Sequence, residues 1–190
     1  EKNAGYNKQN NSYDVSPFIR DYLSIKQKKI TGMKDIYTEF KAYAEKMPGE
    51  MESIMRDLLG YAKWYNKLLF GHPSFPAKLK SSLFRLNRFE SSVTRPFLME
   101  VMRLQESSLL TLDEVAEICR IVESYLLRRI ICDLPSNTLA KVFLTMSSDI
   151  KRFDGTYSNF IEKMKYVLTS KKEKAAFPDN ETFADCLRTK

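Results

Sequence analysis

The chain has 190 residues, with 31 Lys and Arg against 24 Asp and Glu for a net charge of +7. That length suits one domain whose core needs no disulfide or metal staple, and 43% hydrophobic with 29% charged residues excludes a disordered chain. No apolar run approaches the roughly 20 residues that span a bilayer and no signal peptide opens the chain, so no membrane partner is expected.

Three cysteines, Cys119, Cys132 and Cys186, are odd in number and far apart, which points to reduced thiols and a cytoplasmic location. The single histidine, His72, excludes a zinc-protease helix, an HNH-type nuclease site and a two-histidine metal centre. Among only 6 glycines there is no G-x-x-x-x-G-K-[ST] or G-x-G-x-x-G loop. The expectation is a chain that is not itself an enzyme and carries no cofactor and no metal.

The chain starts at Glu1 rather than Met, and EKNAGYNKQNNSYD has nothing to bury. Residues 1–14 are expected to be a flexible linker from a missing N-terminal domain. Residues 15–190 form the helical domain, a fragment with truncation at both ends as the economical reading.

Ser16-Pro17 starts the first helix, with proline where its missing N–H costs nothing. Its apolar side is Phe18, Ile19, Tyr22, Leu23 and Ile25. A second helix carries Met33, Ile36, Tyr37, Phe40, Tyr43, Ala44 and Met47 and stops before Pro48. The third has a stripe of Met51, Ile54, Met55, Leu58, Ala62, Tyr65 and Leu69 at spacings of three and four, ending at Gly71. Pro76 opens a fourth helix through Leu79, Leu83, Leu86 and Phe89. Thr94-Arg95-Pro96 starts a fifth with Phe97, Val101 and Leu104.

Thr111-Leu112-Asp113-Glu114 is a capping box for a sixth helix that runs to about Cys132 and stops before Pro135. Asn137 or Ser136 is expected to cap a seventh, with Leu139, Val142, Phe143, Met146 and Ile150 inward. After Asp154-Gly155 an eighth shows Tyr157, Phe160, Ile161, Met164 and Leu168. No convincing period-two strand and no fixed-period repeat is present. The predicted fold is all-α, an irregular bundle of about 6–9 helices.

Several groups could carry chemistry. Tyr61-Ala62-Lys63-Trp64-Tyr65-Asn66-Lys67 interleaves aromatics with lysines as a base-stacking surface would, although core packing is the expected account. Basic clusters occur at Lys26, Lys28, Lys29 and Lys34, at Lys78, Lys80, Arg85, Arg88, Arg95 and Arg103, and at Lys163, Lys165, Lys171, Lys172 and Lys174. Each could bind phosphates by counterion release, and the last is the first candidate for DNA contact. Glu114/Glu117 and Asp35/Glu39 read as surface charges. Cys119 and Cys132 fall on different helix faces, and each reads as a small core residue.

The sixth helix places Arg129 in line with Val115, Ile118, Val122 and Leu126. An arginine in a core stripe needs a carboxylate or carbonyl partner. The expected role is a salt bridge locking two helices, with Arg128 beside it tolerant of change. Phosphate contact is the functional alternative.

The run ESYLLRRIICDLPSNTLAKVF resembles the helical region of GmrSD-type, modification-dependent (type IV) restriction proteins. PFIRDYLSIKQKKITGMKDIYTEFKAY resembles the same family just after its N-terminal domain, RPFLMEVMRLQESSLLTLDEVAEICRIVESYLLRR its helical middle, and FPDNETFADCL the approach to its nuclease domain. The resemblance spans nearly all of residues 15–187. It implies a ParB/sulfiredoxin-like nucleotide-binding domain before this region and an HNH nuclease domain after it. No catalytic residue carries over, because neither the D-G-Q-Q-R-like motif nor the HNH residues occur here. Glu123, Arg128, Arg129, Pro135 and Asn137 match the family's signature helix and turn, in a structural capacity.

The function expected is a non-catalytic helical module linking the two catalytic domains of a DNA-targeting restriction or phage-defence protein. Its partners would be those flanking domains and, through the basic clusters, DNA. The alternatives are a non-specific DNA-binding module and an oligomerisation scaffold such as a homodimer.

Overall fold

A computed structural model describes residues 15–47, 49–89 and 91–189, together with the backbone at 6–7 and 12–13. Nine α-helices are found among the described residues, and the all-α expectation holds. Four residues depart from it: β1 (Tyr6–Asn7) and β2 (Ser12–Tyr13) pair antiparallel, Tyr6 opposite Tyr13. Those four positions fall within the linker expected over 1–14, whose other ten positions lie outside the described residues.

The centre of the bundle is α5 (Arg95–Glu106), which buries seven residues from Phe97 to Leu104 and packs on α1 (Ser16–Gln27), α3 (Met51–Phe70), α6 (Leu112–Ile131) and α7 (Leu139–Lys151). A helix apolar on nearly every side must be covered on every side. The longest pairing runs between α6 and α4 (Ala77–Arg88), where Ser82 and Ala116 are both buried. α8 (Phe160–Thr169) closes the far side against α6 and α7, and Phe97, Phe143, Phe160 and Tyr125 form a chain of ring contacts 6.0 to 6.3 Å apart. α1 ends where Lys28 turns left-handed, and α2 (Ile36–Glu45) packs against it.

The α3 stripe is rotated by about one residue from the expected one. Ile54, Tyr61, Trp64 and Leu68 are buried, whereas Met51 and Met55 are exposed and Tyr65 is half-buried. The two largest rings decide the rotation, because each buries 150–250 Å² when turned inward. Each also keeps its polar atom satisfied: Trp64 Nε1 donates to Glu106 Oε2 at 2.7 Å, and the Tyr61 hydroxyl donates to Glu100. In α2 no residue is buried and Tyr37 is 80% exposed, so only Ile36, Phe40 and Tyr43 of its expected stripe touch the core.

Both halves of the α6 capping box form: the Glu114 amide donates to Thr111 Oγ1 at 3.2 Å, and the Thr111 amide to Glu114 Oε2 at 2.8 Å. Neither Ser136 nor Asn137 caps α7. Both lie in a 3₁₀ turn, Ser136–Thr138, that leads into Leu139, and the Thr138 hydroxyl donates instead to the Lys174 carbonyl at 2.8 Å. α8 starts at Phe160 rather than Tyr157 because Asp154 Oδ1 organises the preceding loop, accepting from the Thr156 amide, the Thr156 hydroxyl and Lys163 Nζ. A ninth helix, α9 (Asn180–Arg188), has no counterpart among the helices expected from sequence. Asp179 caps it, accepting from the Thr182 amide at 2.8 Å.

Candidate functional site

The C-terminal end of α6 carries a cluster of interactions with a distant segment. Arg129 is 2% exposed, and its guanidinium donates to three backbone carbonyls: Nη1 to Ala176 at 2.9 Å, Nη2 to Pro135 at 2.6 Å and Lys174 at 2.7 Å. Its Nε is buried with no partner among the described residues, and its carbon lies 5.2 Å from the Tyr125 ring centre. The expected salt bridge is thus corrected. The partners are carbonyl dipoles and a π face, and among the described residues no carboxylate takes part. A cation in the last turn of α6 is also favoured by the helix dipole.

Arg128 is not the tolerant neighbour expected. Its Nη1 donates to the Pro178 carbonyl at 2.9 Å and its Nη2 to Asn180 Oδ1 at 2.6 Å, while the guanidinium carbon lies 5.6 and 5.0 Å from the ring centres of Phe177 and Phe183. The Tyr125 hydroxyl donates to the Ala175 carbonyl at 2.7 Å, and its ring stacks on Phe177 at 5.4 Å. Burial raises the Tyr125 phenol above its ordinary range, so it stays a protonated donor. Residues 174–183 form a strap bound across the end of α6 by side chains spaced Y-x-x-R-R.

Of the other signature residues, Pro135 contributes the carbonyl that Arg129 binds, and Asn137 is exposed. Glu123 sits two turns back and accepts from Arg85 Nε, tying α6 to α4. Tyr125, Thr138, Phe177, Asn180 and Phe183 belong to the same cluster but were not singled out from sequence. The available signal was the pair of rings in F-P-D-N-E-T-F, flanking an Asp cap.

The five lysines expected to contact DNA do not assemble into one free basic face. Lys163 is buried, with Nζ 2.6 Å from Asp154, whose carboxyl is held down at about 2 by that bond and by the Thr156 donors. Lys163 is therefore a structural residue. Lys165 pairs with Glu162 at 3.1 Å and Lys171 with Asp149 at 3.4 Å, leaving Lys172 and Lys174 exposed.

Cys119 is fully buried, and burial pushes its thiol up to about 12. Cys132 is only half-buried, its Sγ 3.9 Å from the Thr182 carbonyl, so it is a strap contact rather than the core residue expected. Glu114 serves the capping box, Glu117 pairs with Arg120, and Glu39 with Lys29. Among the described residues no group of three or more His, Cys, Asp or Glu could hold a metal ion. No helix among them is long and apolar enough to cross a membrane.

No family model, curated protein or solved structure matches this chain.

Proposed function

We propose that this chain is a non-catalytic helical module of a cytoplasmic, DNA-targeting restriction protein, joining a nucleotide-binding domain to an HNH nuclease domain of the same polypeptide. The observation that supports this reading best is that two separate runs carrying the resemblance meet in space. Arg128 of ESYLLRR holds the Pro178 carbonyl and Asn180 of FPDNETFADCL, and Arg129 holds the carbonyls just before it. In this reading, the segment leading toward the nuclease leaves the bundle from a fixed point on α6. Any tilt of α6 in response to nucleotide would be handed to the strap through a guanidinium fork rather than lost in a loose linker.

The test uses the full-length parent and its Arg128→Ala variant. Nucleotide hydrolysis should persist while nucleotide-dependent cleavage of modified DNA falls at least about tenfold. Unchanged cleavage by the variant, or a reading frame that encodes neither catalytic domain, would overturn the proposal.

A further inference from the structure

Two open grooves meet at the C-terminal end of α3, one along α3 and α1, the other between the end of α3 and α4, and both are lined by Leu69–His72. Gly71 makes the junction possible. Its φ of 73° with ψ of −176° is a backbone essentially confined to glycine, and it turns the chain sharply out of the helix. Asn87 Nδ2 donates to the Leu68 and Leu69 carbonyls at 3.0 and 3.2 Å, so two carbonyls of the helix end are covered rather than offered to solvent.

The lining has a consistent chemistry. Phe70 and Phe84 are 59% and 66% exposed and line the same groove, an apolar patch rather than two scattered rings. Lys63, Lys67, Lys80 and Arg88 stand around them, and the described lining contains no Asp or Glu. Lys63, Lys67 and Arg88 make no ion pair among the described residues, unlike Lys163, Lys165 and Lys171. Arg88 instead lies 6.0 Å from the centre of the Phe84 ring, a planar cation beside a planar face. The lysines that the sequence interleaves with aromatics thus do line an exposed surface. Its rings, however, are Phe70 and Phe84, while Tyr61 and Trp64 are in the core.

We propose that these grooves bind single-stranded nucleic acid, with Phe70 and Phe84 stacking on bases and Lys63, Lys67, Lys80 and Arg88 tracking the phosphates. Positive lining without carboxylates selects a polyanion, and exposed rings select one with free planar faces. A duplex keeps those faces stacked inside itself and can offer only its phosphates. The site is separate from the strap at the end of α6 and does not rest on the connector proposal.

The experiment is fluorescence anisotropy of the 190-residue chain with labelled oligo-dT, oligo-U, a random duplex of equal length, and polyglutamate as competitor. Oligo-dT or oligo-U should bind at least about tenfold more tightly than the duplex, which falls in the non-specific range of roughly 10⁻⁴–10⁻⁶ M. The plot of log affinity against log salt should have a slope near −3, about −0.7 for each of the four cations, and Lys67→Gln should reduce it by about 0.7. The double variant Phe70→Leu, Phe84→Leu should bind at least about tenfold more weakly while melting like the parent, since both rings are exposed. Lys141→Gln, an exposed lysine on α7, should bind as the parent does. A preference for the duplex, polyglutamate competing as well as unlabelled oligo-dT, or unchanged binding by the double phenylalanine variant would each overturn the proposal.

Discussion

Replacing Arg129 with alanine is the most informative single change to the bundle. The guanidinium supplies three hydrogen bonds to carbonyls, and a bond to a charged donor is worth about 1.5–3 kcal/mol. The loss is smaller than the sum. The Lys174 carbonyl keeps the Thr138 hydroxyl as a donor, and the strap can peel away to let water reach the others. A net cost of about 3 kcal/mol follows, which for a chain of this size lowers Tm by roughly 6–12 °C. Because the partners are neutral carbonyls, no orphan charge is left behind, and Arg129→Met should behave much like Arg129→Ala. Arg129→Lys should recover less than half the loss, since one ammonium cannot reproduce the planar fork. Urea unfolding followed by circular dichroism gives the stability. Limited trypsin digestion reads the strap directly, because Lys171, Lys172 and Lys174 lie in and beside it. Equal stability of Arg129→Ala and parent, with equal cleavage at these lysines, would refute the reasoning.

Three further outcomes follow from individual contacts. Burial raises the Asp21 carboxyl from 3.8 to about 6 against the opposing pull of Arg20, so the folded state holds that proton more tightly than the unfolded chain; its contribution to stability is fully present below pH 4 and declines, by about 3 kcal/mol in all, as pH rises through 6. Asp21→Asn should flatten that part of the stability profile in urea titrations, and identical slopes for the two proteins would reject it. Lys163→Ala should lower Tm by several degrees without reducing oligonucleotide affinity, because its buried ammonium is engaged with Asp154 of the preceding loop; calorimetry and anisotropy separate the two effects. Cys119 should resist alkylation at pH 8 until the protein unfolds, while Cys186 reacts in the native state, as mass spectrometry of the labelled peptides would show.

Helix identity was legible because apolar spacing and caps agree locally. The Thr111–Glu114 box and the inward positions of α7 appear as the pattern implies. Rotation about the α3 axis was not legible. Leu58, Ala62 and Tyr65 make as good a stripe as Ile54, Tyr61 and Trp64, and the choice depends on Glu100 and Glu106 of α5, a partner helix that sequence spacing cannot supply. Arg129 was correctly read as needing partners, yet their nature was hidden, since carbonyls of an irregular strap about 45 residues away have no side-chain signature. Lys163 failed as a DNA-contact candidate for the same reason. Its neutralising Asp154 stands nine residues earlier, across a loop whose shape is set by hydrogen bonds to Thr156. The groove beside Phe70 was half visible: the lysines of α3 were noted, whereas Phe84 comes from another helix.

The central claim is that α6 pins the strap through Arg128 and Arg129, and hydrogen exchange read by mass spectrometry tests it most directly. In the parent, the amides of Ala175 and Ala176 bond to the Lys172 and Glu173 carbonyls, and the Thr182 amide bonds to Asp179, so peptides covering 172–185 should be protected. In the double variant Arg128→Ala, Arg129→Met, protection of those peptides should drop at least about a hundredfold, while peptides from α5 and the first half of α6 exchange as in the parent. Strap amides that stay as protected in the variant as in the parent would contradict the account.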